Sequence, residues 1–209
     1  LDRGYIVSLT DAVTLDSEYG EDIDKAFEDY EKYLLKQVSE LNRYYQEEAA
    51  ILRYNQPKIQ VLADMIARYD SRIYERLDYN EDFLQLSLGL GNKVSQLQLQ
   101  TNFDIQSKDE SSKFAQKVLQ KYQMQRQVPI TVNIAQATVG LIGNQEVTKT
   151  AIYNLLLQLA IFHSYLDVNF INLVHEHDYE KDWSEWRFLP HFNMQERNVR
   201  GFVHDARSR

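Results

Sequence analysis

Apolar residues recur at steps of mostly three and four along the first quarter of the chain: Ile23, Phe27, Tyr30, Leu34, Val38, Leu41, Tyr45 and Leu52. This spacing puts them on one stripe of a helix over about 21–53, with the period of a coiled-coil seam. Glu21, Asp22 and Asp24 fall in its first turn, where acids favour the helix dipole. Asn55-Gln56-Pro57 interrupts the stripe, and Pro57 suits the first position of a new helix. A second stripe follows (Ile59, Leu62, Ile66, Tyr69, Ile73, Leu77), predicting a helix over 57–77. The short break between the two predicts an antiparallel hairpin, and the competing geometry is one helix kinked at Pro57. Residues 1–20 are polar and alternate only weakly, which reads as a short strand or a loose arm.

After Asp78-Tyr79-Asn80 the period changes. Phe83–Leu88 alternates at period two and predicts a strand, and Gly89-Leu90-Gly91-Asn92 turns the chain. Residues 94–105 suggest a second strand, and 109–127 a polar helix. Strands are predicted at 128–134, 139–142, 168–174 and 199–203, with a helix over 148–163. Strand–helix–strand order with β-branched strands indicates a right-handed crossover and a mainly parallel sheet. The fold class is therefore α/β. A long helical hairpin stalk, 1–78 (arm 1–20, helices about 21–53 and 57–77), leads into a second domain, 79–209.

Charge sharpens this division. The chain has 209 residues and a formal net charge of −8. Residues 1–50 hold 13 acidic and 5 basic residues, so the entire excess lies at the N-terminal end. An acidic arm argues against nucleic-acid binding, which needs Lys and Arg on phosphates. It also argues against close docking on an anionic membrane. No apolar stretch approaches the roughly 20 residues needed to cross a bilayer. Cysteine is absent, which excludes disulfides and thiolate metal sites. Leu1 stands where an initiator Met would, so the chain is expected to be a fragment of a longer protein.

Candidate chemistry centres on Gly143-Asn-Gln-Glu-Val-Thr148-Lys149-Thr150. The phosphate-binding loop pattern is G-x-x-x-x-G-K-[ST], between a strand and a helix. Gly143, Lys149 and Thr150 match, and Thr148 replaces the second glycine. That position needs close approach or unusual backbone angles, and a β-branched residue opposes both. Lys149 would still reach a phosphate, and Thr150 a Mg²⁺. The opposing reading makes both residues ordinary first-turn positions of a helix. His175-Glu176-His177-Asp178 offers metal-type ligands but no assured third one, so a polar loop is the better reading and no metal is expected. Trp183, Trp186, Phe188 and Phe192 read as a core or interdomain patch. Asp178-Tyr-Glu-Lys-Asp182 reads as a solvated turn. No Ser–His–Asp or Cys–His arrangement is present, and no catalytic residue is assigned.

Several stretches together carry a resemblance. Gly143-x-x-x-x-Thr148-Lys149-Thr150, Leu156–Ser164, Asp167–Val174 and Trp183-x-x-Trp186-x-x-Leu189-Pro190-His191 resemble the FtsK/SpoIIIE family of P-loop ATPases. Arg53–Pro57, Arg72–Arg76 and Asp82–Gly91 resemble the cytosolic region that follows the transmembrane helices in the membrane-anchored ATPase of type VII (ESX/Ess) secretion. The likeness covers about residues 30–209. It implies a stalk leading into a degenerate P-loop NTPase-like domain, truncated at its C-terminus before the acidic strand end that holds Mg²⁺. The acidic 1–29 region departs from the basic juxtamembrane segment expected there.

The resemblance implies a non-catalytic coupling and scaffold segment at the cytoplasmic face of the bacterial membrane. The pseudo-ATPase fragment would belong to a parent ATPase. Its partners would be other secretion subunits, the parent's motor modules and further copies in the assembly. It would touch the membrane only through the parent's transmembrane helices. No cofactor is expected. The alternative is a weak ATP-binding regulatory domain using Lys149 and Thr150, with Gly143 and Thr148 completing the loop and Mg²⁺ as the accompanying ion.

Overall fold

The computed structural model describes residues 6–9, 20–101, 117–118, 120–194 and 199–205, with side chains from Lys32 onward except those of Leu34 and 98–101. The rest of the predicted arm 1–20 and residues 109–116 of the predicted polar helix lie outside the described residues. The chain forms two compact units, residues 1–56 with 89–130 and residues 57–88 with 131–209. Both are discontinuous in sequence, so they divide the chain at other places than the 78/79 boundary.

In the first unit, β1 (Ile6–Leu9) pairs in parallel with β3 (Gln98–Thr101). Helix α1 runs Gly20–Asn55, close to the predicted 21–53. Its stripe buries Leu41 completely against Leu97, Val118 and Tyr122, with Val38, Tyr44 and Tyr45 packed around them. Tyr45 meets Tyr122 edge-on at 5.3 Å and donates from its hydroxyl to the Met124 carbonyl at 2.8 Å. Glu48, one turn further on, accepts at 2.6 Å from Ser95 Oγ and at 2.7 Å from Gln125 Nε2. It also takes the Gln96 amide at 2.8 Å. Part of the predicted stalk stripe therefore builds an ordinary core and one carboxylate clamp.

In the second unit, helix α2 spans Ile59–Arg68, nine residues short of the predicted end at 77. Tyr69 adopts a left-handed conformation (φ 52°, ψ 51°), and the Asp70 amide bonds back to the Met65 carbonyl. The Asp70 carboxylate then accepts the Arg72 amide at 3.0 Å, a local turn that competes with helix. Pro57 lies before the N-cap residue Lys58 rather than at the first helical position. Part of the α2 stripe packs within its own unit, while Ile66 and Tyr69 are exposed. Leu62 and Met65 are buried against Ile161 and Phe162 of α3 (Gln145–Phe162). Burial of two such side chains contributes roughly 3–6 kcal/mol before entropic costs.

The longest ladder joins β2 (Gln85–Val94) to β4 (Met124–Asn133). The Ile134 amide bonds to the Leu84 carbonyl at one end and the Ser95 amide to the Gln123 carbonyl at the other, so the strands are antiparallel. Among the described residues of the second unit, parallel pairing is confined to β5 (Asn172–Leu173) with β8 (Phe202–Val203). β6 (Asn193–Met194) and β7 (Val199–Arg200) pair antiparallel. The chain is thus mixed helix and strand, compatible with α/β, but a mainly parallel sheet does not form among the described residues. The predicted strand at 139–142 is absent too. Ile142 is fully exposed there, whereas the strand feeding a phosphate loop is a buried one. A P-loop fold is not shown.

Trp183 and Phe192 join Phe170, Tyr179, Phe202, Leu86 and the end of α3 in the main core. Trp186 packs against it, while Phe188 stands exposed, so the predicted aromatic patch is only partly core.

Candidate functional site

Helix α3 has two different ends. Its last five residues, Gln158 to Phe162, are all buried. His163 follows and is completely buried. Its Nε2 accepts the Leu84 amide at 3.0 Å, and its Nδ1 lies 3.2 Å from the Leu159 carbonyl. This pairing requires the neutral ring with the proton on Nδ1. Burial, and secondarily the nearby Arg76 charge, push the His163 pKa down to about 4. Arg76 is itself 1% exposed. Its guanidinium donates to the Gln85 carbonyl at 2.6 Å, reaches Asp82 at 3.1 Å and lies 4.2 Å over the Phe162 ring. His191 donates from Nε2 to the His163 carbonyl at 2.9 Å, and burial lowers its pKa as well.

The predicted site residues lie about the start of α3, with Gly143 before it, Thr148 at the end of its first turn and Lys149 and Thr150 in its second. Asn144 caps it: its side chain accepts the Val147 amide at 2.9 Å, and its carbonyl accepts the Thr148 amide at 3.0 Å. The Thr148 hydroxyl turns back to the carbonyls of Asn144 and Gln145, at 2.9 and 3.1 Å. The Thr150 hydroxyl does the same with Glu146 at 2.8 Å. Both hydroxyls are thus satisfied within their own helix. Gly143 has no positive φ, and a Cβ there would meet Thr148 Cγ2 at an ordinary 3.6 Å.

Lys149 has a partner that the sequence did not reveal. Its Nζ lies 3.1 Å from Asp182 and 3.4 Å from Glu146. The hydrogen bond to Asp182, opposed by desolvation, raises its pKa. Asp182 is only 12% exposed at its side chain, so its reading as part of a solvated turn is corrected. Residues 179–183 form a wide helical turn that buries Tyr179 and Trp183. This packing fixes the carboxylate over α3. Tyr153 adds a hydrogen bond of 2.8 Å to the Asp182 carbonyl and sits edge-on to Trp183 at 5.0 Å. Burial raises the Tyr153 pKa. No spacing signal links positions 33 residues apart, so only the fold brings Lys149 and Asp182 together.

An open groove of about 350 Å³ runs beside this turn, between Thr148, Lys149 and Ile152 on α3 and Leu173, Asp178 and Asp182 opposite. His177, well exposed, and Asp178, half-buried, are 3.8 Å apart. Among the described residues no three His, Asp or Glu side chains converge on a metal position. No helix among them is long and apolar enough to cross a membrane.

No family model matches the chain. Curated proteins do. The chain is 29% identical over 207 residues to the type VII secretion system protein EssC of Staphylococcus aureus (strain MSSA476), a match covering 98% of this chain and 14% of that protein. It is 31% identical over 186 residues to the ESX secretion system protein YukB of Bacillus subtilis (strain 168), covering 86% of this chain and 12% of YukB. The chain therefore spans only about a seventh of the length of these relatives. Over that span, the chain is a homologue of one segment of EssC and YukB, which are FtsK/SpoIIIE-type proteins of type VII (ESX) secretion systems.

Proposed function

We propose that this chain is a non-catalytic coupling and scaffold segment of a type VII secretion ATPase. It acts at the cytoplasmic face of the membrane, linking the membrane part to the motor modules and offering surfaces to partner subunits. The observation that supports this reading is the Lys149–Asp182 ion pair. Where a phosphate-loop lysine meets a phosphate, Lys149 meets a carboxylate of its own chain. The hydroxyl that would hold Mg²⁺, on Thr150, donates to Glu146 instead. An anionic ligand would have to displace Asp182 and approach Glu146, and like charges oppose both steps.

The alternative is a regulatory domain that binds ATP weakly through Gly143, Thr148, Lys149 and Thr150. Thermal unfolding with and without millimolar ATP and Mg²⁺ separates the two. The scaffold reading expects no shift in Tm. A site filled at a hundred times its dissociation constant stabilises by about 2.7 kcal/mol, a shift easily read. A shift of that kind that disappears in Lys149→Ala would overturn the scaffold reading in favour of the regulatory one.

A further inference from the structure

The groove beside α3 has a second wall with unused bonding capacity. In β5 the Asn172 amide bonds to the Gly201 carbonyl at 2.7 Å and the Val174 amide to the Val203 carbonyl at 3.1 Å. Alternate peptide groups of a strand point to opposite sides, so the N–H and C=O of Leu173 face away from β8. Among the described residues they have no hydrogen-bond partner. The flanking side chains are apolar and open to solvent: Ile171 is 61% exposed and Leu173 74%. Edges of this kind are usually blunted by Lys, Pro or a bulge, and Ile171 to Val174 has none of these. The groove carries Asp178 and Asp182 against the single Lys149, whose ammonium also meets Glu146 at 3.4 Å. Its charge is net negative, and Ile152, Val174 and Trp183 supply apolar lining.

We propose that the free edge of β5 takes up an extended basic peptide segment by β-strand addition. Backbone bonds to Leu173 fix its direction and register, and Lys or Arg side chains lie toward Asp178 and Asp182. Apolar side chains on the same segment cover Leu173 and Ile152. The proposal deepens the scaffold reading and rests on it, because it names the kind of partner that the segment holds.

The test uses the full chain, a short synthetic peptide of alternating valine and arginine, its glutamate counterpart and a version of the basic peptide methylated at alternate backbone nitrogens. Amide hydrogen exchange at Leu173 is the readout. The basic peptide is expected to slow it about tenfold, and the other two to leave it unchanged. Asp178→Asn, at a half-buried position, is expected to weaken binding of the basic peptide several-fold without lowering Tm. Equal protection by the glutamate peptide overturns the charge argument. Equal protection by the methylated peptide, or protection by none, overturns strand addition. Both outcomes leave the ATP test untouched, and an ATP shift lost in Lys149→Ala defeats the scaffold reading whatever the peptides do.

Discussion

The two ends of α3 are built to different standards. The C-terminal end is dry. His163, Gln158 and the Phe162 ring meet Leu84, Ser87 and Arg76 through bonds of 2.8–3.0 Å and a cation–π contact. The N-terminal end is wet. Its contacts are an N-cap, two hydroxyls folded onto their own helix, and one lysine held by Asp182. In a nucleotide-binding protein the N-terminal end would carry the most constrained geometry of the helix. Here the constraint lies at the other end, and the difference teaches that α3 is anchored as a structural member. Substitutions should therefore cost most at the C-terminal end and least at the residues that match the phosphate-loop pattern.

The largest effect is expected at Arg76. Arg76→Met keeps volume but abandons the Gln85 carbonyl, Asp82 and the face of Phe162. A loss of about 3 kcal/mol is expected in chemical denaturation. Arg76→Lys should recover little, because one ammonium does not span the Gln85 and Asp82 positions as a planar fork does. A wild-type-like denaturation midpoint in Arg76→Met would remove the contrast between the two ends.

The next effect is in pH. His163 has its folded pKa depressed to about 4 from 6.5. The unfolded chain therefore binds more protons between these values, and stability rises with pH across that window. The contribution is complete above about pH 6.5 and lost as pH drops toward 4, for a total of at most about 3 kcal/mol. His191, shifted the same way, adds to the slope. Denaturation at neutral pH and near pH 4.5 should show a steeper loss in the wild type than in His163→Gln. Equal slopes would mean that His163 is free to protonate in place.

The helices were legible in the sequence wherever periodicity and burial agreed, as for α1 and for the body of α2. The end of α2 was not, because Ile73 continues the spacing while Tyr69 turns left-handed and Asp70 captures a local amide. Ile73 still packs on the same cluster, from a turn instead of a helix. The run 138–142 looked like a strand because it is apolar and β-branched, yet Leu141 and Ile142 are exposed. Composition alone did not say which apolar run has a neighbour to pair with. The helix predicted over 148–163 was readable, although it starts at Gln145 and so places Lys149 in its second turn. The carboxylate facing Lys149 was not, since Asp182 reaches it only because Tyr179 and Trp183 sink into the core.

At the N-terminal end the effects should be smaller. Asn144→Ala removes the cap on Val147 and is expected to cost about 1 kcal/mol, read as a modest fall in Tm with no change in the pH slope. A loss as large as that of Arg76→Met would show that the exposed turn anchors the helix after all.

The smallest effect is expected at Gly143, and it is the most diagnostic. A glycine that opens a working phosphate loop is there for its backbone freedom or for close approach to a ligand. Gly143 uses neither. Its φ is not in the left-handed region, and an added Cβ meets only Thr148 Cγ2 at 3.6 Å. Gly143→Ala should therefore be neutral, or stabilising by about 0.5 kcal/mol through the reduced entropy of the unfolded chain. Gly201→Ala supplies the contrast in the same unit, because a Cβ there would collide with the Phe170 carbonyl. If Gly143→Ala destabilises as Gly201→Ala does, the loop is holding a geometry for something that must approach its backbone, and the anchored-helix account of α3 loses its N-terminal half.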